Sequence, residues 1–401
     1  MASIGDEQVT FGNELLSRGT SIVTRPSNTD DVRVAPVQVA VYLADQNPHR
    51  DRSLGITSMT RALLDELGRR EQVKLTLVTS KSSFGSSGRS EASIRLPFKS
   101  DSGLGRIICD TMHPLLARPT CDIWYYPKGY LSLFARPSVP VIGTMHDAII
   151  QYYADKYPQT RSPLAFRYWI RVTKNSLKRL NTVMTVSQHA KSQLLQFCDR
   201  YQISPPPIHV TYESSSWEVL RGRQWKKRDE VVHLASSTPH KMTHRLLSIW
   251  QKLQRDGRSL PPLRLIGRID DECKQTMNSL KHVSIVPPLD EESLVEAVGS
   301  ARALLLPSEI EGFGLPALEA YYVGTPVCYV AGTSVEEVVT EAGQFGSFNL
   351  EDPTSLYLAL QSALEQSTSR IESISESLFT RFSNEQYADR VIESFYRVLK
   401  R

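Results

Sequence analysis

Ala303-Leu304-Leu305-Leu306 runs into Pro307-Ser308-Glu309-Ile310-Glu311-Gly312-Phe313-Gly314-Leu315-Pro316-Ala317-Leu318-Glu319-Ala320, and this stretch decides the fold. Four apolar residues in a row have the length and uniformity of a strand buried on both faces. The chain then bends through two glycines and enters a helix with Pro316 in its first turn, where a missing N–H costs nothing. A helix amino end presented in this way attracts anions, because unpaired backbone N–H groups and the positive end of the dipole converge there. Gly312 and Gly314 let a ligand approach the backbone, and Glu311 and Glu319 place one carboxylate before the helix and one inside it.

The same alternation extends in both directions. Short strands are expected at Val231–Leu234, Leu263–Ile266, Val283–Val286 and Val327–Val330, with helical patterns at His244–Arg255, Glu291–Ser300, Pro316–Val323 and Ser334–Glu341. Upstream, Val37–Leu43, a helix over Ile56–Leu67 and a strand over Lys74–Thr79 repeat the unit, followed by apolar runs at Asp122–Tyr126, Pro140–Gly143 and Thr182–Val186. Strand, helix, strand implies a parallel sheet. The expected class is therefore α/β, with two doubly wound, Rossmann-like parallel-sheet domains facing a cleft. Residues 1–31 read as a loose leader, 32–211 as the first domain and 212–383 as the second, with a final helix over 384–401 completing the first. Ser204-Pro205-Pro206-Pro207 and Tyr212–Trp217 read as the connection between them.

Composition narrows the class further. The 401 residues are 40% hydrophobic and 22% charged, which fits a globular protein and excludes a disordered or fibrous one. No run approaches the roughly 18 apolar residues of a membrane span. Asp6, Glu7, Glu14 and Arg18 break any secretory apolar stretch, so a cytoplasmic location is expected. Five separated cysteines without a C-x-x-C pair read as reduced structural thiols. The net charge of +4 conceals an asymmetry: residues 1–200 hold 26 Lys and Arg against 17 Asp and Glu, and residues 201–401 hold 21 against 26. A basic first half suits an anionic partner or a membrane surface.

Glu311 and Glu319 lie at most about 12 Å apart along a helix axis, roughly the span of a sugar, a diphosphate and a ribose. Carboxylates tolerate a diphosphate only where they accept from neutral hydroxyls while cations hold the phosphates. Lys241, in the loop Ala235-Ser236-Ser237-Thr238-Pro239-His240-Lys241 after the second domain's first strand, is the candidate cation.

The segment Glu311-Gly312-Phe313-Gly314-Leu315-Pro316-Ala317-Leu318-Glu319-Ala320 resembles the signature of the family-four retaining glycosyltransferases of the GT-B fold, in the branch that contains many mannosyltransferases. Gly143-Thr144-Met145-His146-Asp147 resembles the family's active-site histidine motif, and Thr185–Lys191 the turn that follows. Gly55-Ile56 resembles the first glycine loop, Val286–Leu289 the region near the base, Gly324-Thr325-Pro326-Val327 the strand after the signature helix, and Arg381-Phe382-Ser383 the tail that crosses back. The resemblance implies that Glu319 accepts from ribose hydroxyls, while Glu311 with the amides of Phe313, Gly314 and Leu315 holds the donor sugar and distal phosphate. Lys241, with Ser237 and His240 in its loop and Gly55 opposite, would complete the donor site, and His146 would touch the transferred sugar. It also implies a nucleoside-diphosphate sugar donor, GDP-mannose favoured, no essential metal, and a hydroxyl acceptor that is a saccharide, lipid-linked or a small molecule. Three positions depart from the family: His240 stands where an arginine is usual, the glycine loop is reduced to Gly55, and Tyr212-Glu213-Ser214 replaces an asparagine-glycine.

Competing patterns are weaker. Gly312-x-Gly314-x-x-Ala317 also fits a dinucleotide fingerprint, but Pro307 to Glu311 separate it from its strand. There is no G-x-x-x-x-G-K-[ST], no D-x-D and no G-x-S-x-G. His240 and His244 are one helical turn apart without further metal ligands in sequence. A non-catalytic relative of the same fold, binding a nucleotide or a partner, is the alternative function. Lys81–Ser93 and Lys99–Gly105 read as acceptor-side loops. On a helix expected over Ser162–Leu180, Arg167, Arg171, Lys174 and Lys178 form one stripe and Phe166, Trp169, Ile170, Thr173, Leu177 and Leu180 another. This pairs a core face with a solvated one, or with a peripheral contact on the anionic inner face of a membrane. Nucleic acid is not expected as a partner.

Overall fold

A computed structural model describes residues 35–46, 54–81, 92–339 and 344–400. The expected leader 1–31 and most of the loop Lys81–Ser93 lie outside them. The first sheet contains seven parallel strands: β1 (Val37–Tyr42), β2 (Val73–Thr79), β3 (Ala92–Arg95), β4 (Ile123–Tyr126), β5 (Val141–Met145), β6 (Thr182–Thr185) and β7 (Ile208–Val210), in the order β3-β2-β1-β4-β5-β6-β7. Its helices are α1 (Leu54–Leu67), α2 (Gly103–Leu116), α3 (Ile149–Lys156), α4 (Pro163–Arg179) and α5 (Gln188–Arg200).

The second sheet has six parallel strands: β8 (Val231–Ala235), β9 (Leu263–Gly267), β10 (Val283–Val286), β11 (Ala303–Leu306), β12 (Val327–Val330) and β13 (Ser347–Phe348), in the order β10-β9-β8-β11-β12-β13. Around it lie α6 (Thr243–Arg255), α7 (Asp271–Asn278), α8 (Glu291–Ser300), α9 (Leu315–Tyr322), α10 (Ser334–Val339), α11 (Pro353–Leu364) and α12 (Thr368–Phe382). The doubly wound α/β architecture thus occurs twice in one chain. Strand order reverses between β1 and β4 and between β8 and β11, and the carboxyl ends flanking such a reversal are where an open sheet leaves a crevice for ligands.

The strands are continuous apolar runs because helices cover both faces; β4, β5, β6 and β11 are buried along their whole length. The last helix, α13 (Asn384–Leu399), returns to the first sheet, where Tyr387, Val391 and Phe395 pack with Val39, Val41 and Leu63. The preceding α12 instead buries Ile371, Ile374, Leu378 and Phe382 against the second sheet's helices. Cys109, Cys198, Cys273 and Cys328 are buried free thiols, and Cys121 is partly buried.

Two sequence expectations are corrected. Pro205 to Pro207 do not form the link between the sheets, because they lead into β7, a three-residue edge strand too short for any periodicity to show. The link itself begins at Thr211 and passes through a short 3-10 turn at Ser216–Leu220. Lys99–Gly105 is not wholly loop either, since Gly103 and Gly105 occupy the first turn of α2, where the Ser102 hydroxyl accepts from the Gly105 N–H.

Candidate active site

Lys241 and Glu311 come from the two strands that flank the second reversal. Lys241 ends a 3-10 turn after β8, and Glu311 lies in the loop after β11; Lys241 Nζ donates to Glu311 Oε1 at 2.6 Å. Burial pushes the Glu311 carboxyl up, but the charge and hydrogen bond of Lys241, aided by Ser308 and His240, bring it below the ordinary range. Glu311 is therefore anionic at neutral pH.

Gly314 is the N-cap of α9, with φ of 103°, a conformation only glycine adopts without strain, and no side chain caps the helix end. Pro316 has no N–H and the Ala317 N–H donates to the Gly314 carbonyl at 2.9 Å, so the amides that could meet an incoming anion are those of Phe313, Gly314 and Leu315. Phe313 contributes only its backbone, because its ring is buried in an aromatic cluster with Tyr212 and Phe382. Inside α9, Glu319 accepts from the Ser215 hydroxyl at 2.8 Å, and burial holds its carboxyl up at about 7. Leu315 meets the first domain at Gly55, where a Cβ would stand 3.6 Å from Leu315 Cδ1. Ser237 is exposed in the turn after β8.

His146 follows β5 on the opposite sheet and is buried. Its Nδ1 lies 2.6 Å from Glu213 Oε1 and its Nε2 lies 2.8 Å from the Pro127 carbonyl. The Pro127 carbonyl can only accept, so Nε2 carries a hydrogen, and beside an ionised Glu213 the Nδ1 carries one as well. Burial pulls its pKa down, but the hydrogen bond and charge of Glu213, with Pro127 and Asp147, raise it above the ordinary value. The neighbouring Asp147 is held up by burial, against the Ile149 N–H and the His146 charge.

The two sides touch at Gly312. A Cβ there would stand 2.6 Å from the His146 carbonyl oxygen, and the Gly312 carbonyl accepts from the Ser187 hydroxyl at 2.6 Å. A second seam joins α3 to the second sheet: Lys156 and Tyr157 both donate to Glu309, and the Tyr153 hydroxyl pairs with His240 Nδ1 at 2.6 Å. Lys241, Glu311 and Glu319 thus lie on the second sheet's side with the amino end of α9, and the His146 backbone meets that side at Gly312.

A profile of the glycosyl transferases group 1 family matches residues 218–376, the part of the chain that carries Lys241, Glu311 and Glu319. The chain is 28% identical over 262 residues to the O-antigen chain mannosyltransferase B of Escherichia coli, covering 61% of this chain and 66% of that one. It is 25% identical over 227 residues to the MMP alpha-(1->4)-mannosyltransferase of Mycolicibacterium hassiacum, covering 52% and 53%. The matches thus span between about half and two thirds of these curated relatives' lengths. Among solved structures, the sucrose-phosphate synthase of Thermosynechococcus elongatus superposes with a TM-score of 0.69 at 16% identity, covering 91% of this chain and 99% of that one. Its two facing parallel sheets are the GT-B fold.

His240 does not supply the second cation that an arginine would. Burial and the neighbouring Lys241 lower its pKa to about 4, and its ring nitrogen is engaged by Tyr153, so at neutral pH it is an uncharged contact of the seam. His244 lies on an exposed turn of α6, and among the described residues no three His, Cys, Asp or Glu side chains converge as a metal site requires. Glu213 entered the sequence reading only as a departure from the family pattern, and it proves to be the partner of His146. No local pattern could find it, because the pair joins residues 67 apart. The same holds for Tyr153, Lys156, Tyr157 and Glu309, which meet only through the fold.

Proposed function

We propose that the chain transfers a hexosyl unit, mannose, from a nucleoside-diphosphate sugar, GDP-mannose, to a hydroxyl of a glycan, glycolipid or small-molecule acceptor, with retention at the anomeric carbon and without an essential metal. The mannosyltransferases among its relatives support the sugar. The observation that carries the reading is the Lys241–Glu311 ion pair beside the amino end of α9, met at Gly312 by the His146 backbone.

In this reading the diphosphate lies on Lys241 and the uncapped first turn of α9, which stabilise the charge that develops as it departs. Glu311 accepts from the sugar hydroxyls, and Glu319 from the ribose. Lys241 Nζ has three hydrogens, so it can keep one on Glu311 and turn the others to phosphate. The His146 imidazolium, held by Glu213, offers positive charge beside the sugar. Retention requires the acceptor hydroxyl to enter on the face the diphosphate leaves, which puts the acceptor on the first sheet's side. The enzyme would act in the cytoplasm, in peripheral contact with the anionic inner face of the membrane, with the basic stripe of α4 turned towards it. Among the described residues no helix is long and apolar enough to cross a membrane.

The test is mannosyl transfer to a synthetic mannoside, together with thermal shift against GDP, UDP, ADP and their sugar conjugates without metal. A ligand bound only by the folded chain raises its stability. GDP-mannose should give the largest shift, and His146→Ala and Glu311→Ala should each lower transfer by about a hundredfold or more. Near-parental rates in both variants would remove the site, and a shift with UDP conjugates alone would replace the donor.

A further inference from the structure

Helix α2 is built inside out. Its inward face is polar: Arg106 reaches Asp45 and Asp110, the Tyr42 hydroxyl donates to Asp110 at 2.7 Å, and His113 lies between the Asp110 carbonyl and the Tyr126 hydroxyl. Its outward face carries Leu104, Ile107, Ile108, Leu115 and Leu116, with Leu104 70% and Leu115 61% exposed. An amphipathic surface helix ordinarily buries such a stripe.

The stripe does not stand alone. Ile107 and Thr111 line a groove with Phe134, Tyr168, Trp169 and Val172, which joins α2 to α4, and Arg106 stacks on Trp169 at 4.9 Å. Phe134 and Leu164 are 66% and 75% exposed. Arg167 and Arg171 stand exposed on α4, and Arg118 and Arg136 are exposed beside the ends of the stripe. Residues 95–180 hold 13 Lys and Arg against 5 Asp and Glu, a local net of +8 in a chain of net +4. Leucines and aromatics facing water within a strongly basic surround match an interface between hydrocarbon and anionic headgroups.

We infer that α2, with the first turn of α4 and Phe134, is an in-plane docking surface for an anionic lipid membrane. This rests on and deepens the peripheral contact proposed above: the basic residues of α4 meet headgroups while the α2 leucines enter the acyl boundary. The occupant is a lipid surface because a protein face would have to match both the apolar stripe and the surrounding excess of positive charge. Tyr130 lines the groove three residues after Pro127, whose carbonyl holds His146. The docked face therefore lies within about 10 Å of chain from the active site.

The experiment is co-sedimentation of the full chain with vesicles of phosphatidylcholine alone and of phosphatidylcholine mixed with phosphatidylglycerol, at low and high salt. The parent should bind the mixed vesicles. Leu104→Gln with Leu115→Gln should lose about tenfold in partitioning at either salt, and Arg167→Gln with Arg171→Gln about tenfold at low salt only. Thermal shift with GDP on each variant reads folding and the donor site separately, so a failed transferase assignment cannot be mistaken for failed docking. No binding of the parent to mixed vesicles, or undiminished binding of the leucine variant, overturns the inference. So does a lipid-free dimer that the leucine variant turns into a monomer, because a second copy would then cover the stripe.

Discussion

His146 is the residue whose chemistry depends most on one partner. With its folded pKa above the ordinary 6.5, the pair with Glu213 contributes stability that is complete below pH 6.5 and is lost as pH rises through the folded value. Glu213→Gln should therefore lower the melting temperature most near pH 6 and least near pH 9, read from thermal melts across that range. A deficit that does not change with pH would mean the ring is neutral. Glu319 has the same sign from the opposite charge type: burial raises its carboxyl to about 7, so its contribution is full below the ordinary 4.5 and disappears through pH 7. Glu319→Gln should flatten the fall in ligand-free stability between pH 5.5 and 8, and should weaken GDP binding by about tenfold for one lost ribose hydrogen bond. An unchanged slope would place the titration elsewhere. Glu311, Glu319, Lys241 and His146 entered the sequence reading through short motifs, with Lys241 and Glu311 in loops after strands, His146 just after β5 and Glu319 inside α9, and their roles came with the family resemblance. The role of Glu213 was not legible, because it exists only through a pairing with His146, 67 residues away in the chain.

At the scale of elements, the loop between β11 and α9 does the joining. Gly312 allows two backbones to meet where any side chain would collide with the His146 carbonyl. Gly312→Ala should cut transfer by at least about tenfold, because an ångström of displacement across the seam misaligns Glu311 and His146. Circular dichroism should show the fold retained; a variant with parental turnover would mean that the seam yields freely. The apolar strands of four or more residues and the amphipathic α6 and α8 could be read from pattern alone. Strands β7 and β13, of three and two residues, carry no period to read. Helix α2 escaped for a different reason: Gly103, Gly105 and Pro114 depress its helical signal, and its apolar stripe faces away from the core.

For the whole molecule, the charge asymmetry between the halves was legible as a count, and the structure gives part of it a location, in the basic surround of α2 and α4. The return of the chain through α13 has a larger effect on stability. Its Tyr387, Val391, Ile392, Phe395 and Val398 cover one face of the first sheet. Burial of that set is worth on the order of 10 kcal/mol, comparable to the full stability of an ordinary domain. A chain ended after Ser383 should accumulate as insoluble protein and elute as aggregate on gel filtration, while a soluble, GDP-responsive product would show the first sheet to be stable uncovered. The second sheet, by contrast, draws its strands and most of its covering helices from between Val231 and Phe382, with Val186, Ala190 and Trp217 added from the chain before it. The two sheets must consequently mature in the reverse of their order of synthesis. Strand β1 leaves the ribosome first, yet its sheet waits bare on one side until about 190 residues beyond β7 have been translated, a delay of roughly 10–40 s. Throughout that interval an apolar face rich in Val and Leu stays uncovered, until the last helix arrives to bury it.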